Sequence, residues 1–389
     1  MAVKNKKNNE EGLRHEMAKI KVVGVGGGGG NAISRMRKEL FRGVDFIAIN
    51  TDTQDLELCH ADVKIHIGKN LTKGLGTGMN PDLGRQAAEE TRAEIVEAIK
   101  GADLVFITAG LGGGTGSGAS SVVAEAAKEM GALTIAVVTK PFSFEGAQRG
   151  RIAQEALTKL KDKVDTLIVI PNDRIFSVID KETTLVKAFE IVDDILRDAI
   201  QGIAELIAMP GIINVDFADV KTIMENAGTA LVGIGLGSGQ DRAMTAVGQA
   251  VNSPLLEVSI EGAKGVLFGV SGAKDLKMNE INDIAKTISE AVDPSAKIIF
   301  GAYHDRNMKN GQIKVTLIAT GFSGTSSTKN PSSLSNLFTA PVEKKPEPLL
   351  AKGATVEEPK LPRKLEHKPE HKKDSDVWDI PTFLRRKKK

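Results

Sequence analysis

The sequence predicts an α/β protein. The expected order is an N-terminal Rossmann-like domain on a parallel sheet, a long central helix, a smaller C-terminal α/β domain, a disordered linker and a short C-terminal peptide. Three observations predict it. Short apolar runs alternate with helical patterns through most of the 389 residues. One stretch, 182–208, keeps helical periodicity on two faces. Proline usage then shifts: six of the 14 prolines precede residue 322 and the other eight fall between 331 and 381.

Bulk composition narrows the classes. Hydrophobic residues make up 41%, enough for a sizeable core. Lys plus Arg number 52 against 50 Asp plus Glu, a balance that argues against a dedicated nucleic-acid binder. The one cysteine, Cys59, forbids an intramolecular disulfide, points to a reducing compartment and reads as a small buried hydrophobe. Residues 1–17 carry charge with no apolar stretch behind them and read as a flexible extension, not a secretory leader. No run approaches the ~20 apolar residues of a membrane span, so a cytoplasmic protein is expected. The six histidines are scattered, and no zinc site or other protein-built metal cage is expected.

The first elements read as strand, glycine loop, helix. Ile20–Val25 is a strand, and a helix follows from about Asn31. Asp45–Asn50 is a second strand, and Thr91–Lys100 continues a helix. Asp103–Ala109 is a strand that enters another glycine loop and a helix over 120–130. Leu133–Thr139 and Thr166–Ile170 are further strands. Such runs imply a parallel sheet with helices on both faces.

A long helix follows over Glu182–Ala208. Leu185, Phe189, Val192, Leu196, Ile200, Ile203 and Ile207 recur at spacings of three and four, and Ala188, Ile191 and Ile195 form a second stripe. A helix apolar on two sides is buried between two bodies. Pro210-Gly211 stops it. Beyond it, Ala230–Ile234, Gly265–Val270, Ile298–Tyr303 and Ile313–Ala319 read as strands, with helices near 240–252 and 278–292. The Ser-, Lys- and Glu-rich segment 323–373 reads as a disordered tether with an end-to-end distance of roughly 40 Å.

The chemistry concentrates in the glycine loops. Val22–Ile33 reads VVGVGGGGGNAI: a strand runs into five glycines and then a helix, a backbone arrangement suited to an anion. Gly24, Gly26 and Gly29 also satisfy GxGxxG, so a nicotinamide-dependent oxidoreductase is a rival reading. Asp103–Gly118 reads DLVFITAGLGGGTGSG and repeats the design, with Thr115 and Ser117 adding hydroxyls. Two such loops at the carboxyl ends of strands in one sheet can hold a polyphosphate between them. No GxxxxGK[ST] occurs, which disfavours a Walker-type site.

GGGTGSG (Gly112–Gly118) resembles the phosphate-loop signature of the tubulin superfamily. It stands in order with GVGGGGGNA, NTD (Asn50–Asp52), GLGTGMNP (Gly74–Pro81), KPFSFEGAQR (Lys140–Arg149), IPND (Ile170–Asp173) and NVDFADV (Asn214–Val220). This ordered set, over about 18–322, resembles the FtsZ family of bacterial cell-division GTPases. Thr77 and Met79 depart from it, because the family more often has small residues there.

The resemblance implies a GTP-binding domain at 18–181, a central helix and connection at 182–213, and a GTPase-activating α/β domain at 214–322. It implies that Gly27, Gly28 and Asn31 approach the nucleotide. Gly112, Gly113, Gly114, Thr115, Gly116, Ser117 and Gly118 would hold the phosphates, and Glu145 and Arg149 would meet ribose and phosphates. Asn172, Phe189 and Asp193 would frame the guanine, whose N1–H and exocyclic amine suit a carboxylate. By pattern alone Phe189 fits the core stripe equally, and Asp194 beside Asp193 could face the base instead. The expected ligands are GTP or GDP with Mg²⁺, and K⁺ is a candidate ion.

Asn214, Asp216 and Asp219 read two ways. Spacing alone suits helix capping, with Asp216 as N-cap before Val220–Met224. The resemblance instead makes them the catalytic loop that completes the site of the next subunit. That implies head-to-tail stacking into open filaments, assembly-dependent hydrolysis and a mid-cell division ring. Residues 374–389 end in DIPTFLR and a basic run. Asp379, Ile380, Pro381, Phe383, Leu384 and Arg385 match the family's peptide for membrane-tethering adaptors and assembly regulators. Arg385–Lys389 offer a weaker direct contact with anionic lipid.

Overall fold

The Val- and Ile-rich runs of the first half are strands, and most of them hand the chain to a helix. The computed structural model describes residues 18–38, 43–180, 182–208, 211–253, 259–305 and 308–322. The first unit comprises β1 (Ile20–Val25), α1 (Gly26–Lys38), β2 (Val44–Asn50), α2 (Thr53–Leu58), β3 (Val63–His66), α3 (Lys69–Thr72), α4 (Pro81–Glu90) and α5 (Arg92–Ile99). It continues with β4 (Leu104–Gly110), α6 (Thr115–Glu129), β5 (Leu133–Lys140), α7 (Ala147–Lys161) and β6 (Thr166–Pro171). Then α8 (Leu185–Ala208) and α9 (Phe217–Met224) lead to β7 (Gly228–Ser238), α10 (Arg242–Val251), β8 (Gly265–Gly272), α11 (Met278–Ala291), β9 (Lys297–His304) and β10 (Gln312–Thr320).

The strand order is β3-β2-β1-β4-β5-β6-β7-β10-β8-β9. Strands β3 to β6 are parallel throughout, as alternating strands and helices require. β7 joins them through a short parallel stretch, Thr166–Ile168 against Gly228–Ala230, and farther on pairs antiparallel with β10. The two α/β units therefore share one hydrogen-bonded sheet. β7 runs on to Ser238, past the expected Ile234, because Gly233, Gly235 and Gly237 let α10 rest directly on its backbone. A Cβ at any of them would stand within 2 Å of an α10 carbonyl oxygen.

One face of the first sheet packs Val22, Phe46, Phe106 and Ile135 against α1 and α8. The other packs Val23, Ile47, Ile107 and Val138 against α4 to α7. The same core that holds α8 includes Leu267, Tyr303 and Ile318 of the second unit. The expectation of a helix buried between two bodies holds for Leu196, Ile200 and Ile203. It fails at the helix start, where Leu185 and Phe189 are exposed.

Three expectations are corrected. The helices after the glycine loops begin at Gly26 and Thr115, not near 31 and 120, since glycine is accommodated in a first helical turn that packs on strand ends. The helix expected over Thr91–Lys100 is present as α5, but it does not continue α4, because Thr91 lies between them with its N–H and hydroxyl turned back to Ala88 O and Ala87 O. β3, α2, α3, α7 and the start of α4 escaped the pattern reading. The expected N-terminal extension (1–17), linker (323–373) and C-terminal peptide (374–389, with Asp379–Arg385) lie outside the described residues.

Candidate functional site

Strand β1 turns at once into α1 because Gly26 sits at φ +70°, a backbone state that other residues adopt only at a cost. A Cβ on Gly26 would stand 3.0 Å from Gly116 N, and one on Gly28 would stand 3.2 Å from Gly110 N. The two glycine loops are thus in contact, and the N-termini of α1 and α6 converge at the carboxyl ends of β1 and β4. Unpaired amides and two helix dipoles favour an anion there.

Hydroxyl groups brace this cradle from within. Thr115 Oγ1, buried, lies 2.8 Å from Thr51 Oγ1 and 3.2 Å from Thr77 Oγ1. It ties the NTD turn and the GLGTGMNP loop to the second glycine loop. Ser117 Oγ accepts from Gly112 N at 2.9 Å and keeps its own O–H to donate. Asn80 caps α4 by accepting from the N–H groups of Asp82 and Leu83, with Pro81 at the first helical position. Met79 adopts the left-handed region (φ +64°). Thr77, one of the two residues that depart from the family pattern, therefore forms part of the cradle's wall.

Glu145 accepts from Phe142 N at 2.9 Å and pairs with Arg149 at 2.7 Å. The backbone of Arg149 lies over Gly112, so this pair borders the second glycine loop. Asn31 is exposed on α1, and Gly27 faces the Asp55 carboxylate. Asn172, after β6, is buried with Oδ1 unpartnered. A buried acceptor without a donor is costly in isolation and marks a place where a ligand N–H would fit. Phe189, 39% exposed, presents its face beside the buried Phe142, which it meets edge-on at 5.4 Å. The core reading of Phe189 is set aside accordingly.

The structure separates the two adjacent aspartates. Asp193 Oδ2 is 3.0 Å from Arg35 Nε, on the same side of α8 as Phe189, one turn earlier. Asp194 pairs with Arg197 at 2.9 Å. Burial, opposed by Arg35 and helped by Asp194 and Glu190, pushes the Asp193 carboxyl up to about 6. Arg35, Thr51, Asp55 and Phe142 were missed as contributors to the site. For Arg35 a signal existed, since it stands one helical turn beyond Asn31.

Asn214, Asp216 and Asp219 are exposed at the far end of α8. Asn214 Oδ1 accepts from Gly211 N at 2.6 Å, and Asp216 Oδ1 accepts from Ala218 N at 3.1 Å as N-cap of α9. The capping role of Asp216 is therefore real. The 16 residues of α8 from Asp193 to Ala208 span about 22 Å. The glycine cradle and the acidic loop occupy opposite ends of that helix. Among the described residues no His, Cys, Asp and Glu cluster could hold a metal ion by itself.

Comparison with known proteins bears directly on this arrangement. The family described as Tubulin/FtsZ family, GTPase domain, matches residues 19–180, and the FtsZ family, C-terminal domain, matches 228–323. A solved FtsZ dimer from M. jannaschii, described as empty, is 49% identical. The match covers 80% of this chain and 90% of that one, with a TM-score of 0.77. A protofilament of CetZ2 from Haloferax volcanii, bound to GTPγS, shares the fold at 21% identity and a TM-score of 0.69, covering 82% of this chain and all of that one.

Proposed function

The chain belongs to the FtsZ family of tubulin-type GTPases, and from that premise we propose that it assembles head-to-tail into protofilaments that build a division ring at the future septum. In this reading each interface completes one hydrolytic site. The glycine loops Gly27–Gly28 and Gly112–Gly118 hold the triphosphate. Asn172 and Asp193 read the guanine, Phe189 covers its face, and Glu145 with Arg149 border ribose and phosphates. The neighbouring subunit brings Asn214, Asp216 and Asp219, whose polar groups orient the attacking water toward the γ-phosphate. Mg²⁺, and K⁺ as a candidate second ion, would offset phosphate charge.

The single observation that carries this is the separation of cradle and acidic loop by the length of α8, with the loop exposed. One subunit's carboxylates cannot reach its own nucleotide across about 22 Å. A nicotinamide-dependent oxidoreductase built on Gly24–Gly29 accounts for neither the second glycine loop nor the exposed acidic turn. The domains are proposed as 18–181 for GTP binding and 214–322 for activation of the next subunit. Residues 379–385 are proposed to bind adaptors that attach the filament to the cytoplasmic face of the membrane. Among the described residues no helix is long and apolar enough to cross one.

The test is phosphate release from GTP against protein concentration, with Mg²⁺ and K⁺. Specific activity near zero at low concentration that rises past a threshold supports a shared site. Constant specific activity at all concentrations would mean that each monomer carries a complete site, and would overturn the reading.

A further inference from the structure

On its C-terminal half, α8 lies on the second unit through surfaces with little relief. A Cβ on Gly269 of β8 would stand 2.7 Å from Leu206 Cδ2, and one on Gly301 of β9 would stand 3.2 Å from it. On the helix itself, Gly202 lets β10 approach, since a Cβ there would meet Thr316 Cγ2 at 2.5 Å. Apolar contact across a glycine-lined seat is non-directional and does not by itself define where along the seat the helix stops.

Directional contacts interrupt that seat at one residue, Glu205. Glu205 of α8 is only 8% exposed and Tyr303 of β9 only 3%. Tyr303 donates its hydroxyl to Glu205 Oε2 at 3.2 Å, and Lys314 Nζ of β10 approaches the same oxygen at 3.6 Å. Gln201, one turn earlier, donates to Glu205 Oε1. Burial and the Glu205 carboxylate hold the phenol far above its ordinary range, so it remains a donor.

The residue beside Tyr303 carries the acidic loop. Ala302 O accepts from the N–H groups of Ile212 and Ile213 at 2.7 and 3.0 Å, and Ala302 N donates to Ile213 O at 3.0 Å. Asn214 follows directly, and Asp216 caps α9. Adjacent residues of β9 therefore hold the end of α8 through a side chain and the acidic loop through the backbone.

We propose that the Tyr303–Glu205 hydrogen bond is a positioning element for the acidic loop. It fixes the register of α8 on β9 and thereby the placement of Asn214, Asp216 and Asp219 toward the next subunit's nucleotide. This rests on the shared-site reading above. Neither residue touches nucleotide, and both act through the loop.

The test uses the full chain with Tyr303→Phe, which removes the hydroxyl and keeps the ring. The expected result is unchanged GTP affinity of the monomer and a turnover per assembled subunit reduced about tenfold. Glu205→Gln keeps an acceptor for the phenol and should retain turnover within about threefold, whereas Glu205→Leu, which also takes the carboxylate from Lys314 and Gln201, should lose at least as much as Tyr303→Phe. Combining Tyr303→Phe with Glu205→Leu should lower turnover no further than Glu205→Leu alone, the signature of one shared contact. Turnover of Tyr303→Phe within twofold of the parent overturns the proposal, whatever the change in melting temperature. So does a loss that appears only as weaker GTP binding. Asp216→Asn is measured alongside: if it keeps full activity, the shared-site reading itself has failed; if it is inactive while Tyr303→Phe is not, only the positioning role has.

Discussion

Arg35 Nε of α1 stands 3.0 Å from Asp193 Oδ2 of α8, and Arg35 Nη1 reaches Glu190 at 3.8 Å. The pair closes the crossing of the two helices that flank the proposed base pocket. It also holds in ionised form a carboxylate that burial works to neutralise.

That balance sets a pH dependence. In the proposed pocket guanine would offer two donors to Asp193, so binding would require the ionised carboxylate. With the carboxyl raised to about 6, GTP affinity should be level above neutrality and weaken as pH falls through about 6, approaching tenfold per pH unit below it. Arg35→Gln removes the charge that favours ionisation and should move the midpoint upward. Isothermal titration of GTP between pH 5 and 8 measures both.

Asp193→Asn should lose GTP affinity by at least about tenfold, since the amide cannot accept from both guanine donors. Asp194→Asn, whose carboxylate pairs with Arg197, should bind GTP as the parent does. Equal losses in both variants would refute the division of roles between the two aspartates.

Asp216 and Asp219 differ in structural duty. Asp216→Ala removes the α9 N-cap and should cost about 1 kcal/mol of stability besides its turnover. Asp216→Asn keeps a capping oxygen and should lose turnover with stability nearly unchanged. Asp219→Ala should leave GTP binding intact, lose turnover and shift stability by no more than about 0.5 kcal/mol. Urea unfolding beside GTPase assays separates these effects.

Gly26→Ala forces a Cβ into the left-handed region and toward Gly116 N. The backbone strain is about 1–2 kcal/mol. The loops must also part, so nucleotide affinity should fall by at least about tenfold while the fold persists by circular dichroism.

In the second unit, Arg242 is nearly buried, with Nε 2.6 Å from Glu280 and Nη1 2.6 Å from Asp275. Arg242→Met should destabilise this unit by about 3 kcal/mol, chiefly by leaving Glu280 without its partner. Hydrogen bonds from Arg242 hold Glu280 below its ordinary carboxylate range. Its contribution is therefore present above pH 4.5, the unperturbed value, and is lost as pH falls below that. Acid unfolding of the parent and of Arg242→Met should converge at low pH.

The sequence by itself determined the fold class, most strands and the family. Val- and Ile-rich runs ending in glycine are local signals, and β1, β5 and β6 were read within a residue of their observed ends. The ordered motifs named the nucleotide class. What only the tertiary structure decided concerns contacts between segments distant in the chain. It parted Asp193 from Asp194 through Arg35 on another helix, and it exposed Phe189, which periodicity alone had allowed to the core. It also joined two α/β units into one sheet through three residues of β7. Glu205 and Tyr303 lie 98 positions apart. Periodicity reports which face of an element is apolar, and only the packed chain determines which element that face meets.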